Sequence, residues 1–157
     1  MPNWGYSIQS LDKDKTAIAS GRDLRVSPKK TREVCKAIKG MTLSQAKDYL
    51  EKVILLKAPV PFRRYNKLMP HRHGMAQWKF HAGAFPEKAA RMVFEVLSNA
   101  ESNAEYKGLD SERLRIIHAA TMRGRITRRY IERAHGRSSP YFKCLSHIEI
   151  VLQEEQK

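Results

Sequence analysis

Ala120 to Lys143 reads A-T-M-R-G-R-I-T-R-R-Y-I-E-R-A-H-G-R-S-S-P-Y-F-K, and this stretch decides the fold. In an extended backbone, where side chains alternate, Arg123, Arg125, Thr127, Arg129, Ile131 and Arg133 fall on one face. The opposite face, Gly124, Ile126, Arg128, Tyr130 and Glu132, carries no continuous apolar stripe, so this is not a core strand. Ala134-His135-Gly136 supplies a reversal, Gly136 permitting positive φ, and the chain returns through Arg137, Ser139, Tyr141 and Lys143. Pro140 is tolerable in a ribbon with one ladder to maintain. The reading is a hairpin arm over residues 120–143. At about 3.3 Å per residue, roughly fourteen residues from base to tip reach on the order of 45 Å, beyond the radius of a small domain, so the arm protrudes. A lone hairpin with like charges along one face is marginal in water, so a polyanion is needed to order it. Arginine is the informative choice, because its planar fork binds phosphate bidentately and stacks on bases.

The flanks of the arm set the rest. Leu114, Ile116 and His118 alternate with Arg115 and Ile117 going in, and Ile148, Ile150 and Leu152 alternate with Glu149 and Val151 coming out. They are predicted to be antiparallel neighbours of which the arm is the continuation. A further strand is expected within Thr16–Val26, with an irregularity at Gly21. Ser27-Pro28 starts a helix with Val34, Cys35 and Ile38 inward and Gly40 as its stop. Thr42-Leu43-Ser44-Gln45 is a capping-box pattern opening a second, with Leu43, Ala46, Leu50, Val53 and Ile54 inward. Pro86 opens the longest, whose stripe is Ala89, Met92, Val93, Val96, Leu97, Ala100 and Ala104, with Gly108 closing it. The expected fold is α+β: a single domain, 1–157, with a small three-stranded antiparallel sheet packed on three helices and a long protruding β-hairpin.

The 157 residues carry a formal charge of +14. Residues 121–143 hold seven Lys or Arg against one Glu, and residues 57–85 hold six against no acid, so each contributes +6 and the remainder is close to neutral. That distribution describes an ordinary body with two basic appendages for a polyanionic partner. In the 57–85 loop, Phe62, Tyr65, Trp78 and Phe80 interleave with Arg63, Arg64, Lys67, Arg72 and Lys79, as suits stacking on exposed bases, or else pins the loop to the body. Lys29, Lys30 and Arg32 in the first helix's opening turn oppose its dipole, a cost that a bound phosphate reverses.

Cys35 and Cys144 are expected to be free thiols. His71, His73 and His81 lack a fourth ligand at recognisable spacing, so no metal and no cofactor is expected. Residues 1–15 are read as an extended surface segment anchored by Trp4 and Tyr6, with no signal peptide; no membrane span or surface helix accompanies the basic blocks. The expectation is a soluble intracellular protein.

The runs Arg22-Asp23-Leu24-Arg25-Val26-Ser27-Pro28-Lys29-Lys30, Leu97-Ser98-Asn99-Ala100-Glu101-Ser102-Asn103-Ala104-Glu105, Arg133-Ala134-His135-Gly136-Arg137 and Ser146-His147-Ile148-Glu149-Ile150, in that order, resemble the universal ribosomal large-subunit protein twenty-two family. Pro61-Phe62-Arg63-Arg64-Tyr65-Asn66 and the long loop look like its archaeal and eukaryotic branch, and the short tail after the last strand looks archaeal. The resemblance implies a non-enzymatic cytoplasmic protein of the large subunit that binds large-subunit rRNA early in assembly. Its body would lie near the tunnel exit, and its hairpin would line the nascent-peptide tunnel beside neighbouring large-subunit proteins. Carried onto this chain, the arm contacts are Arg123, Arg125, Arg128, Arg129, Arg133, His135 and Arg137, with Gly136 as the turn and Lys143 at the base. Arg63, Arg64, Lys67, His71, Arg72 and His73 of the loop, and Asn99 and Asn103 of the long helix, complete the set with Lys29, Lys30 and Arg32.

Two other readings compete. A DNA architectural protein would use the basic arm in a groove, yet the tip offers Ala134-His135-Gly136 where an apolar wedge is usual. A nuclease built on His118, His135 and Glu132 would need a pocket that an exposed arm does not provide, and Glu132 reads more simply as an ion partner for Arg128 or Arg129.

Overall fold

The computed structural model describes residues 5–9, 11–12 and 14–155, so the reading of Trp4 as an anchor lies outside the described residues. Three strands form the main sheet: β1 (Thr16–Leu24), then an outgoing strand (Leu114–Thr127) and a returning one (Lys143–Glu154) that flank the arm. The returning strand lies between the other two and pairs antiparallel with both. Its Ile148, Ile150 and Leu152 are fully buried, opposite Gly21, Ala19 and Ala17 on one side.

Three helices supply the rest of the core. In α1 (Pro28–Ile38), Ser27 is the N-cap through its backbone carbonyl, which accepts from Thr31, while its hydroxyl makes no capping bond. In α2 (Leu43–Ile54), Thr42 caps through its side chain, accepting from the Gln45 N–H at 3.4 Å. Tyr49 is buried where spacing favoured Ile54, which is half-buried at the helix end; the Tyr49 hydroxyl donates to the Pro59 carbonyl at 3.0 Å. The long α3 (Glu87–Tyr106) buries Ala89, Val93, Val96, Leu97, Ala100 and Ala104 as its period predicts, and it adds Ala90. Gly21 lets α3 approach β1 closely: a Cβ there would lie 2.8 Å from Val96 Cγ2.

Numbering in chain order, β2 (Val60–Pro61) and β3 (Gly83–Ala84) close the base of the 57–85 loop. The outgoing strand is β4, the arm carries β5 (Tyr130–Glu132) and β6 (Ser138–Pro140), and the returning strand is β7.

Two irregularities in β4 correct the simple alternation. The register shifts between Ile116 and His118, so these residues do not share a face as strict alternation requires: Ile116 is opposite Leu152 in the core, whereas His118 is opposite Val151 on the other face. On that second face the N-terminal segment is tied down. Ser7 donates its N–H and its hydroxyl to Glu149 Oε2 at 3.0 and 2.8 Å, so Glu149 is buried yet satisfied. His118 Nε2 lies 2.9 Å from the same hydroxyl oxygen, and because the hydroxyl hydrogen goes to the carboxylate, the ring donates there. The second shift, between Arg123 and Ile126, falls at the root of the arm.

Candidate nucleic-acid interface

The arm leaves the body where three features coincide. Buried His147 of β7 accepts the Asp23 N–H on Nδ1 at 3.0 Å, Asp23 stands in the left-handed region at φ 49°, and Gly124 packs against both. Beyond this point Arg123 is opposite Ser146 but Ile126 is opposite Cys144, three residues matched by two. The extra residue breaks the predicted single-face ladder: Thr127, opposite Lys143, lies on the face away from Arg123.

The ribbon then opens at Arg128-Arg129 and Tyr141-Phe142, bridged by the Tyr141 N–H donating to the Arg129 carbonyl and by an edge-on Tyr130–Phe142 ring pair with centroids 5.7 Å apart. It closes again at Tyr130 to Pro140 and Glu132 to Ser138, so Pro140 is accommodated. The reversal at Ala134–Gly136 uses two positive-φ residues, His135 at 57° and Gly136 at 67°; the sequence pointed only to the glycine. Arg123, Arg125, Arg128, Arg129, Arg133, His135 and Arg137 are all exposed, and Lys143 is half-buried at the base. Glu132 makes no ion pair among the described residues, against the expectation of an Arg128 or Arg129 partner. Arg133 instead donates to Ser139 Oγ at 3.3 Å.

The 57–85 loop is folded. Phe62 and Met75 are buried, His71 bridges to Ala82, and the Arg72 N–H donates to the His81 carbonyl. Its organiser is Glu33 on α1, which is 1% exposed and accepts the backbone N–H groups of Arg63, Arg64 and Tyr65 at 3.1–3.3 Å. Sequence reading passed over Glu33, although an acid set beside Val34 and four residues before Ala37 on a buried arc is a recoverable signal.

Two predicted basic regions meet because of that anchorage. Lys29 and Arg32 of α1 and Arg64 of the loop surround the Tyr65 ring at 5.6, 5.9 and 5.8 Å from its centroid. Arg63 lies over Phe80 and Arg72 over Phe85, while Trp78 packs on Tyr49. Trp78 and Phe62 therefore pin the loop, and Tyr65 and Phe80 carry cations. Lys67, His71 and His73 are exposed elsewhere on the loop, and the His71 and His81 rings touch edge to face. Asn99 is exposed on α3, but Asn103 Nδ2 donates to the Ile18 carbonyl at 2.9 Å, tying α3 to the edge of β1. Buried Cys35 contacts Thr121 Oγ1 at 3.3 Å, and burial pushes its thiol up to about 11. Among the described residues, no helix is long and apolar enough to cross a membrane.

A well-packed α+β body whose cations are gathered on one arm and one loop defines a class: basic proteins that reach into an extended polyanion. Comparison narrows the class. The family described as Ribosomal protein L22p/L17e matches residues 19–153, and the chain belongs to it. Its relatives include proteins named "Large ribosomal subunit protein uL22". That of Methanopyrus kandleri is 49% identical over 97% of this chain and 96% of its own length. Those of Methanococcus vannielii and Hyperthermus butylicus are 46% and 44% identical, covering 98% and 99% of this chain and 99% and 100% of their own.

Proposed function

We propose that this chain is a structural, non-catalytic constituent of the large ribosomal subunit in the cytoplasm and that it binds large-subunit rRNA. The observation that carries the reading is the arm: six exposed arginines between Arg123 and Arg137 accompanied by one acid. Such a surface releases counterions on phosphate and offers guanidinium planes to bases. The membership of the family and the names of its relatives supply the ribosomal setting.

The finer reading puts the body near the tunnel exit and the hairpin along the tunnel wall, beside neighbouring ribosomal proteins and the nascent peptide in transit. The length of the arm and its mixture of cations with Tyr130, Ile131, Tyr141 and Phe142 fit a narrow RNA-walled passage. The loop around Tyr65 would be a second rRNA contact, with Arg63, Arg64, Lys67, His71, Arg72 and His73 alongside Lys29, Lys30 and Arg32. Asn99 would be a third.

A filter-binding competition at fixed salt tests this reading against the DNA alternative. Labelled large-subunit rRNA should stay bound to the full chain in the presence of an equal mass of duplex DNA. Displacement by the duplex would favour the DNA architectural protein.

A further inference from the structure

The junction of the basic segments forms an open groove of about 550 Å³, within the roughly 300–1,000 Å³ range of clefts that hold small molecules. Four stretches far apart in sequence build it: Arg25 to Lys30 before and within α1, Phe85 at the end of the loop, the start of α3, and Lys143-Cys144 at the base of the arm. Val26, Pro28, Phe85 and Pro86 give it an apolar floor. Arg25, Lys30, Lys88 and Lys143 stand round it. The one acid at the rim, Glu87, is already paired with Arg91 at 2.8 Å. Arg25, Lys30 and Lys88 make no ion pair among the described residues.

We propose that this groove seats one unpaired RNA nucleotide, its base on the apolar floor and its phosphates against the cationic rim. The proposal rests on the reading of the chain as an RNA binder and deepens it. Half-buried Pro28 and Phe85 line the groove, Phe85 with the Arg72 guanidinium over its ring, and an aromatic ring set among cations suits a planar base better than a peptide side chain. Four cations facing no unpaired acid match the phosphates that such a base carries with it. Lys143 both lines the groove and begins β7 at the base of the arm, so the seat adjoins the arm's own RNA contacts.

Cys144 provides a probe that needs no mutation, because it lines the groove half-buried while Cys35 is buried and its thiol held protonated. The full chain is treated with a maleimide alone, bound to transcribed large-subunit rRNA, and within large subunits; in parallel, the rRNA complex is irradiated and its peptide adducts are mapped. The expected result is loss of Cys144 labelling with rRNA alone, together with a nucleotide adduct on the peptide containing Phe85. In Lys88→Glu that adduct should disappear while adducts on the arm persist.

Undiminished Cys144 labelling in a complex that does carry arm adducts would overturn the nucleotide seat and leave the RNA-binding reading standing. Protection that arises only in whole subunits would overturn it in favour of a protein occupant. Failure to retain rRNA at all would overturn both.

Discussion

Buried Glu33 Oε2 lies 3.1 Å from the backbone nitrogen of Arg63, and through this bond and its neighbours at Arg64 and Tyr65 a helix carboxylate fixes the course of a distant basic loop. In Glu33→Ala three N–H groups lose their charged acceptor. The expected cost is about 2–3 kcal/mol, read as a lower urea midpoint at unchanged m-value. Trypsin should then cut between Arg63 and Lys79 before it cuts the body. Equal stability and an intact loop in the variant would show that the loop folds without this anchor.

A Cβ on Gly21 would lie 2.7 Å from Leu24 Cδ1 and 2.8 Å from Val96 Cγ2, and Gly21→Ala is expected to destabilise the body by about 1–3 kcal/mol, since Val96 is stiff and contacts this short force a shift. Thermal unfolding followed by circular dichroism checks this. An unchanged midpoint would mean that the sheet yields there freely.

The second face of the sheet carries a pH dependence. Burial, reinforced by the positive charge of Lys39, holds His118 below its ordinary value of 6.5, and Glu149 opposes this weakly. Between the folded value and 6.5 the unfolded chain binds more protons than the native one. Stability therefore rises with pH through that window and is complete above 6.5. His118→Gln should flatten this part of the profile, its stability relative to wild type improving as pH falls below 6.5. Parallel profiles for the two proteins would contradict the assignment.

Much of the architecture could be read from the chain. Ser27-Pro28, Thr42 and Pro86 mark helix starts locally, and the stripes of α1, α2 and α3 are periodic, so both signals survive without knowledge of partners. The bulges at Ile117 and at Gly124-Arg125 could not be read, because a register shift is a property of two strands and either strand alone still alternates. The same holds for the loop: its order comes from Glu33 and Tyr49 across the fold, so by its own residues it looks structureless. At the interface, charge and residue type pointed to the arm, the loop and the first turn of α1. Their convergence around Tyr65, and the groove that joins Lys30, Phe85 and Lys143, arise only from packing.

On the arm, Arg128 and Arg129 stand exposed where the ribbon opens. Replacing both with Gln should leave the thermal midpoint of the body unchanged and should reduce the slope of log affinity against log salt for large-subunit rRNA by roughly 1–2. An unaltered slope would remove these residues from the phosphate-contacting set.

Stable seating of this chain in the large subunit is tested most simply by a sucrose gradient of lysate from cells that make it, run after a high-salt wash and followed by mass spectrometry. A folded arm and loop that make shaped contacts with rRNA, rather than a loose counterion attraction, predict that the chain stays with the large subunit through the wash. Its release to the top of the gradient, or its migration with chromatin, would contradict the account.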